Sequence, residues 1–302
     1  LVATVANLSQ KHQLIYANTQ KALVVGALAS VISRRPLVFH LHDILSADHF
    51  SAMNRYIAVT LANHFASLVI ANSEATRKTF IQAGGRPDRV TVVYNGFEPT
   101  RYQVSEADRE QLRQQLGLSG QFVVGHFSRL SPWKGQHILI EALAHSPQPV
   151  TVLLVGDALF GEDAYVQKLH RQIAELGLTD RVRFLGFRTD VPQLMTACDL
   201  IAHTSTAPEP FGRVIVEAML CGRPVVAAAA GGATELIDHG ETGWLTPPAD
   251  SQKLAEIIQL CYEQPDRAAE VAHWSRYTAR QRFDLNMINQ QINQLLRQIA
   301  IV

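Results

Sequence analysis

Two hydrophobic periods alternate along the chain. Short continuous apolar runs closed by polar or glycine residues read as buried strands. Longer stretches with apolar residues three and four apart read as helices. Strands are expected over residues 13–18, 36–43, 67–73, 90–94, 122–127, 150–156, 182–186, 200–203 and 224–229, with a turn and short strand at 240–247. Helices are expected over 1–8, 21–33, 54–65, 74–83, 105–115, 136–144, 164–176, 191–197, 213–220 and 251–262, and the tail 274–299 is largely helical and amphipathic. Strands that alternate with helices in this way build a parallel sheet, so the fold class is α/β.

The alternation breaks once. Asn95-Gly96 is a turn signal from which no strand returns, and a polar, Gln-rich helix leads to Gly117-Leu118 before the strands begin again. The expected domains are therefore 1–118 and 119–280, followed by a helix over 281–302 that either packs on the second domain or crosses back to the first. The chain opens on Leu1 inside a helix, with no preceding strand or Gly-rich turn, so an upstream segment is expected and the first domain reads as incomplete.

Composition narrows the classes. With 302 residues and 47% hydrophobic content there is enough apolar material for two α/β cores. Lys+Arg and Asp+Glu both number 27 and are scattered, which argues against a nucleic-acid partner. Cys198, Cys221 and Cys261 are far apart with no metal or redox spacing, and read as buried thiols in a reducing cytoplasm. The longest apolar run, 22–32, contains Gly26 and falls short of the roughly 20 residues that span a bilayer. A peripheral contact with the inner membrane face is compatible with this sequence.

The stretch from Glu209 to Glu217 carries the most chemistry. It joins a strand to a helix, the kind of corner where open α/β sheets bind ligands. Glu209 precedes Pro210 and Gly212, whereas Glu217 sits about a turn inside the helix, so the two carboxylates suit two ends of one ligand. Between them the free N–H groups of the helix start, around Phe211, Gly212, Val214 and Ile215, make an anion site. Taken alone, the pair reads more readily as a solvated helix Glu and an incidental loop Glu, and it is the surrounding motifs that favour a ligand site. Arg129 and Lys134 share the loop after the 122–127 strand and suit a diphosphate clamp, or two surface charges. The loop lacks the Gly-x-Gly-x-x-Gly turn of dinucleotide-binding folds. Gly186-Phe187-Arg188 suits a base edge or a routine turn, and Gly231-Gly232 suits close backbone approach to a ligand or a plain tight turn. His42 and Asp43 close the 36–43 strand; His40 lies on the same face, but His42 is nearer the edge.

These motifs, in this order, resemble the retaining glycosyltransferases of family four, which have the GT-B fold. The likeness rests on the Arg129/Lys134 loop, the 209–217 corner, Gly231-Gly232 with Glu235, and Gly240-x-x-Gly243. It extends to Asn72-Ser73-Glu74, Asn95-Gly96-Phe97 and His42-Asp43. It implies two Rossmann-like domains across a cleft, the second holding a nucleotide-diphosphate sugar and the first an acceptor that the sequence does not name. By that resemblance Arg129 and Lys134 serve the diphosphate, Glu217 the ribose and Glu209 the sugar hydroxyls. His42 faces the reacting sugar, and the backbone at Phe211–Ile215 and Gly231-Gly232 lines phosphate and sugar. No Asp-x-Asp pair occurs, so neither metal nor cofactor is expected. A non-catalytic nucleotide-sugar binder and a GT-B nucleotide-sugar epimerase are the alternatives.

Overall fold

In the computed structural model, which describes residues 1–47, 50–146, 148–159 and 161–300, every residue of the strand Leu37–Leu41 is buried. That is the expected state of a strand covered on both faces. It is β2 of a parallel four-stranded sheet, ordered β1-β2-β3-β4, with β1 Ile15–Ala17, β3 Ala66–Ala71 and β4 Val90–Val92. The helices are α1 (Val2–Ser9), α2 (Gln20–Ser33), α3 (Ala52–Phe65) and α4 (Glu74–Gln82). Thr19, Ser51 and Ser73 accept a backbone N–H at the starts of α2, α3 and α4, which fixes where each helix begins. Leu23, Phe39, Val69 and Phe80 lie in the core between sheet and helices.

The second sheet is also parallel, ordered β10-β9-β8-β5-β6-β7. Its strands are β5 Phe122–Phe127, β6 Val150–Val155, β7 Val182–Gly186, β8 Leu200–His203, β9 Val225–Ala228 and β10 Trp244–Thr246. Around it lie α5 Glu106–Gln115, α6 Gln136–His145, α7 Asp163–Glu175, α8 Val191–Ala197, α9 Arg213–Leu220, α10 Ala233–Leu236, α11 Ser251–Glu263 and α12 Pro265–Arg282. The chain builds outward from β5 to β7, then returns to place β8 on the other side of β5. This reversal makes the crevice at the carboxyl ends of β5 and β8 the topological switch point, where open α/β sheets take ligands.

The chain divides after Phe97, not at residue 118. The polar helix α5 belongs to the second unit because it is bolted there by charge. Arg109 and Arg113 reach Asp199 at 3.0 and 3.1 Å, and Arg113 also donates to the carbonyls of Ala197 (2.7 Å) and Leu118 (3.1 Å). The tail splits as well. α12 stays with the second unit, but from Leu285 the chain joins the first, with Glu209–Phe211. Its last helix, α13 (Leu285–Ile299), starts with Leu285 N–H donating to Phe97 O at 2.8 Å. Ile288 packs with Val38, Ile70 and Val93, so α13 covers a face of the first sheet. Among the described residues no helix is long and apolar enough to cross a membrane.

Candidate functional site

The loop after β5 is held in shape by its neighbour after β8. Gly135 is left-handed (φ 73°), and a Cβ there would stand 1.9 Å from the carbonyl oxygen of Thr204. Glycine is required on both counts. Thr204 Oγ1 donates to Gly135 O (2.8 Å) and lies 3.0 Å from His126 Nε2, and Thr206 N–H donates to Trp133 O at 2.8 Å. Gly135→Ala is expected to cost about 3 kcal/mol of stability, from left-handed strain plus displacement of the Thr204 loop. A urea midpoint within error of wild type would refute that reading of the junction.

Both loop cations gather on one ring. Lys134 Nζ lies 3.9 Å from the centroid of the Trp133 indole and Arg129 Cζ lies 6.0 Å from it, within cation–π range. Arg129 is further placed by Glu162, whose Oε2 is 3.9 Å from its Nε, while Ser131 Oγ donates to Glu162 Oε1. Trp133 and Glu162 escape motif reading. The tryptophan beside a lysine was the only available signal for the first, and Glu162 is a long-range contact.

At the corner after β8, Gly212 (φ 97°) caps α9 without any side-chain hydrogen bond. The first N–H groups of a helix are those that a ligand can engage; here the N–H of buried Ile215 already donates to Gly212 O at 3.0 Å, and half-buried Val214 precedes it. Glu217, in the second turn, is 17% exposed and faces Arg213 Nη2 at 3.5 Å. Burial raises its carboxyl pKa above the ordinary value, against the pull of Arg213 and a hydrogen bond from Tyr102. Tyr102 is itself pushed up to about 12 by burial and then by Glu217.

Farther along the sheet, Arg188 follows β7 and forms a two-point pair with Asp190 at 2.8 and 2.6 Å. The N–H of Phe187 donates to Asp157 at 3.0 Å, so that backbone donor is already engaged. Gly231 (φ 61°) and buried Gly232 follow β9 and lead into the short helix α10, which the sequence pattern did not indicate.

His42, Glu209 and Phe211 belong to the first unit. His42 follows β2, its ring tilted 34° against that of His40 with centroids 4.0 Å apart. The His40 pKa is lowered to about 4, by burial and then by His42, and its Nδ1 lies 2.7 Å from the Tyr16 hydroxyl. His40 is therefore a neutral, fixed platform under His42 near neutral pH. Glu209 is buried. The next residue is anchored through its carbonyl, which accepts from Ser73 Oγ and, at 3.3 Å, from Thr76 Oγ1. Phe211 packs against Phe97 and Tyr94, with ring centroids 6.2 and 6.0 Å away. The motifs Asn72-Ser73-Glu74 and Asn95-Gly96-Phe97 thus act by gripping Pro210 and Phe211. Among the described residues, no three His, Cys, Asp or Glu side chains converge to hold a metal ion.

Comparison with known proteins places this geometry. The family described as Glycosyl transferases group 1 matches residues 108–281, and Glycosyltransferase Family 4 matches 3–101. Crystal structures of Anabaena Alr3699/HepE in complex with UDP and with UDP-glucose are 64% identical to this chain, with a TM-score of 0.96, covering 98% of it and 82% of theirs. Among curated proteins, the D-inositol 3-phosphate glycosyltransferase of Rhodococcus erythropolis is 33% identical over 68% of this chain and 48% of its own. Spore coat protein SA of Bacillus subtilis is 31% identical over 65% and 55%. The chain spans about half the length of these curated relatives. Two parallel α/β units, the switch-point loops and these matches agree: the chain belongs to the group 1 glycosyl transferases and has the GT-B fold.

Proposed function

We propose that the protein transfers glucose from UDP-glucose to an acceptor hydroxyl, with retention of anomeric configuration and without a metal ion, in a reducing compartment such as the cytoplasm. The observation that carries the donor is the 64% identity, over 98% of the chain, to a protein crystallised with UDP-glucose. The chemistry follows from the site. As the bond to the leaving diphosphate breaks, negative charge grows on the phosphate oxygens and positive charge on the sugar ring. Arg129, Lys134 and the N–H groups at the start of α9 offset the first, a task otherwise given to a divalent cation. Glu217 accepts the ribose hydroxyls, Glu209 orients the sugar, and His42 faces the reacting carbon. The turns at Arg188 and at Gly231-Gly232 complete the donor pocket for base and sugar. With no nucleophile assigned, the acceptor enters on the face the diphosphate leaves, and a diphosphate oxygen takes its proton. The buried free cysteines support the reducing compartment.

The test is incubation with UDP-glucose and a panel of hydroxyl acceptors, with and without chelator. Free UDP and an α-linked product, unaffected by chelator, are expected. A β-linked product overturns retention, and activity lost to chelator overturns metal independence. Binding without UDP release from any acceptor favours a non-catalytic binder. A new UDP-sugar with no free UDP favours an epimerase.

A further inference from the structure

The second sheet carries a cavity at the edge opposite its ligand loops. Its volume is about 410 Å³, and its walls include Phe122, Asp199, Arg223, Tyr262, His273 and Arg276. Phe122 opens β5, Asp199 immediately precedes β8 and Arg223 lies two residues before β9, so the lining marks the amino ends of these strands. Strands of this length set the two edges about 15–20 Å apart. Nothing proposed for the donor touches these residues.

The charge there does not balance. Asp199 is the only carboxylate in the lining, and it is already held by Arg109 (3.0 Å), Arg113 (3.1 Å) and the N–H of Val123 (2.8 Å). Arg223 and Arg276 have no ion-pair partner among the described residues, and the buried Nε of each has no hydrogen-bond partner there. Among the described residues Arg223 donates to the Cys198 carbonyl, at 3.5 Å. Burial weakens the proton affinity of both guanidinium groups; Arg109 adds to this at Arg223, where Glu106 and Asp199 pull the other way, and Arg280 adds to it at Arg276. Both side chains are half-buried, and a guanidinium N–H that is buried without an acceptor is costly unless an anion completes it. Gly222 lies beside Arg276, whose Cδ would stand in ordinary contact, at 3.4 Å, with a Cβ at that position. Beside the cations stands an apolar wall, where Phe122 and Tyr262 meet edge to face with centroids 5.5 Å apart.

We propose that this cavity is a second ligand site, taking a small organic phosphate whose oxyanion is gripped by Arg223 and Arg276 and whose flat apolar part lies against Phe122 and Tyr262. Two guanidinium forks suit phosphate oxygens, and a cavity of this size suits a small molecule. Because the site lies at the far edge of the sheet, its ligand binds together with a nucleotide and does not compete with it.

Calorimetry on the whole chain tests this with phenyl phosphate, phenol and inorganic phosphate as probes, each with and without saturating UDP. Phenyl phosphate is expected to bind at least about tenfold more tightly than either fragment, since only it fills both halves of the cavity. UDP should leave that affinity unchanged. Arg276→Gln and Arg223→Gln should each weaken phenyl phosphate about tenfold or more while sparing UDP, and retained UDP binding reports an intact fold. If either variant fails to bind UDP, Arg276→Lys, which keeps the charge but loses the fork, should give an intermediate loss. Displacement of phenyl phosphate by UDP, or unchanged affinity in Arg276→Gln or Arg276→Lys, overturns the proposal.

Discussion

Replacing Arg129 and Lys134 together by alanine is expected to weaken UDP binding roughly 100-fold or more and to lower kcat/KM further still. Each charged contact that a bound diphosphate shields from water contributes about 1.5–3 kcal/mol, so losing two costs on the order of 3–6 kcal/mol. The additional loss in turnover arises because charge on the departing diphosphate grows toward the transition state, where fixed cations matter more than in the ground state. Geometry sharpens the expectation. With Lys134 Nζ 3.9 Å from the Trp133 ring and Arg129 near Glu162, the cations are held before ligand arrives, so little ordering cost is recovered when they are removed. Trp133→Leu should therefore weaken UDP binding less than the double replacement, by loosening Lys134 without removing it. Calorimetry with UDP and initial rates of UDP release make the measurement. Equal UDP affinity in wild type and double variant would remove the diphosphate assignment.

Why these residues were legible in sequence, and others not, follows from the range of the interactions. The β5 run Phe122–Phe127 announces a buried strand through its own composition, and the polar residues after it must then fall at a strand end. Arg129 and Lys134 were visible for that local reason. Asp199 was not, because its importance lies in holding two arginines on α5 some 90 positions earlier, at 3.0 and 3.1 Å. That same lock misplaced the domain boundary. Gly117-Leu118 has the composition of a linker, but Arg113 donates to Leu118 O and ties the turn into the second unit.

The tail shows the complementary case. Its apolar spacing predicts an amphipathic helix but not what the helix packs on. That is decided by a hydrogen bond to Phe97 and by the open face of the first sheet around Val38 and Ile70. Likewise, Asn72-Ser73-Glu74 reads as a helix cap, and Ser73 does cap α4, yet its reach to the carbonyl of Pro210 is a contact across the chain that periodicity does not contain. The neutral state of His40 is also out of reach of the pattern, since it is set by burial and then by the charge of the neighbouring His42.

The two glutamates of the β8 corner should fail in different ways when each is changed to glutamine. Glu217 sits inside α9, fixed between Arg213 and Tyr102. Proposed to accept both ribose hydroxyls, it contributes equally to UDP and UDP-glucose, so Glu217→Gln should weaken both about tenfold and leave kcat nearly unchanged. Its protonation gives a second signature. Burial raises its pKa, so as pH falls Glu217 gains a proton before an ordinary glutamate does and ceases to accept from both hydroxyls. UDP affinity in wild type should begin to decline at a higher pH than an unshifted glutamate would give, and that part of the decline should be absent in Glu217→Gln. Glu209 lies on the buried loop whose next carbonyl is anchored by Ser73 and Thr76, and it is proposed to touch only the sugar. Sugar orientation matters most as the glycosidic bond breaks, so Glu209→Gln should spare UDP affinity and lower kcat about 100-fold, a loss realised in the transition state. UDP calorimetry across pH and rates of UDP release separate the two outcomes. If Glu209→Gln abolishes UDP binding while Glu217→Gln leaves it intact, the roles assigned along the corner are wrong, because the position of each carboxylate relative to the start of α9 is what assigns them.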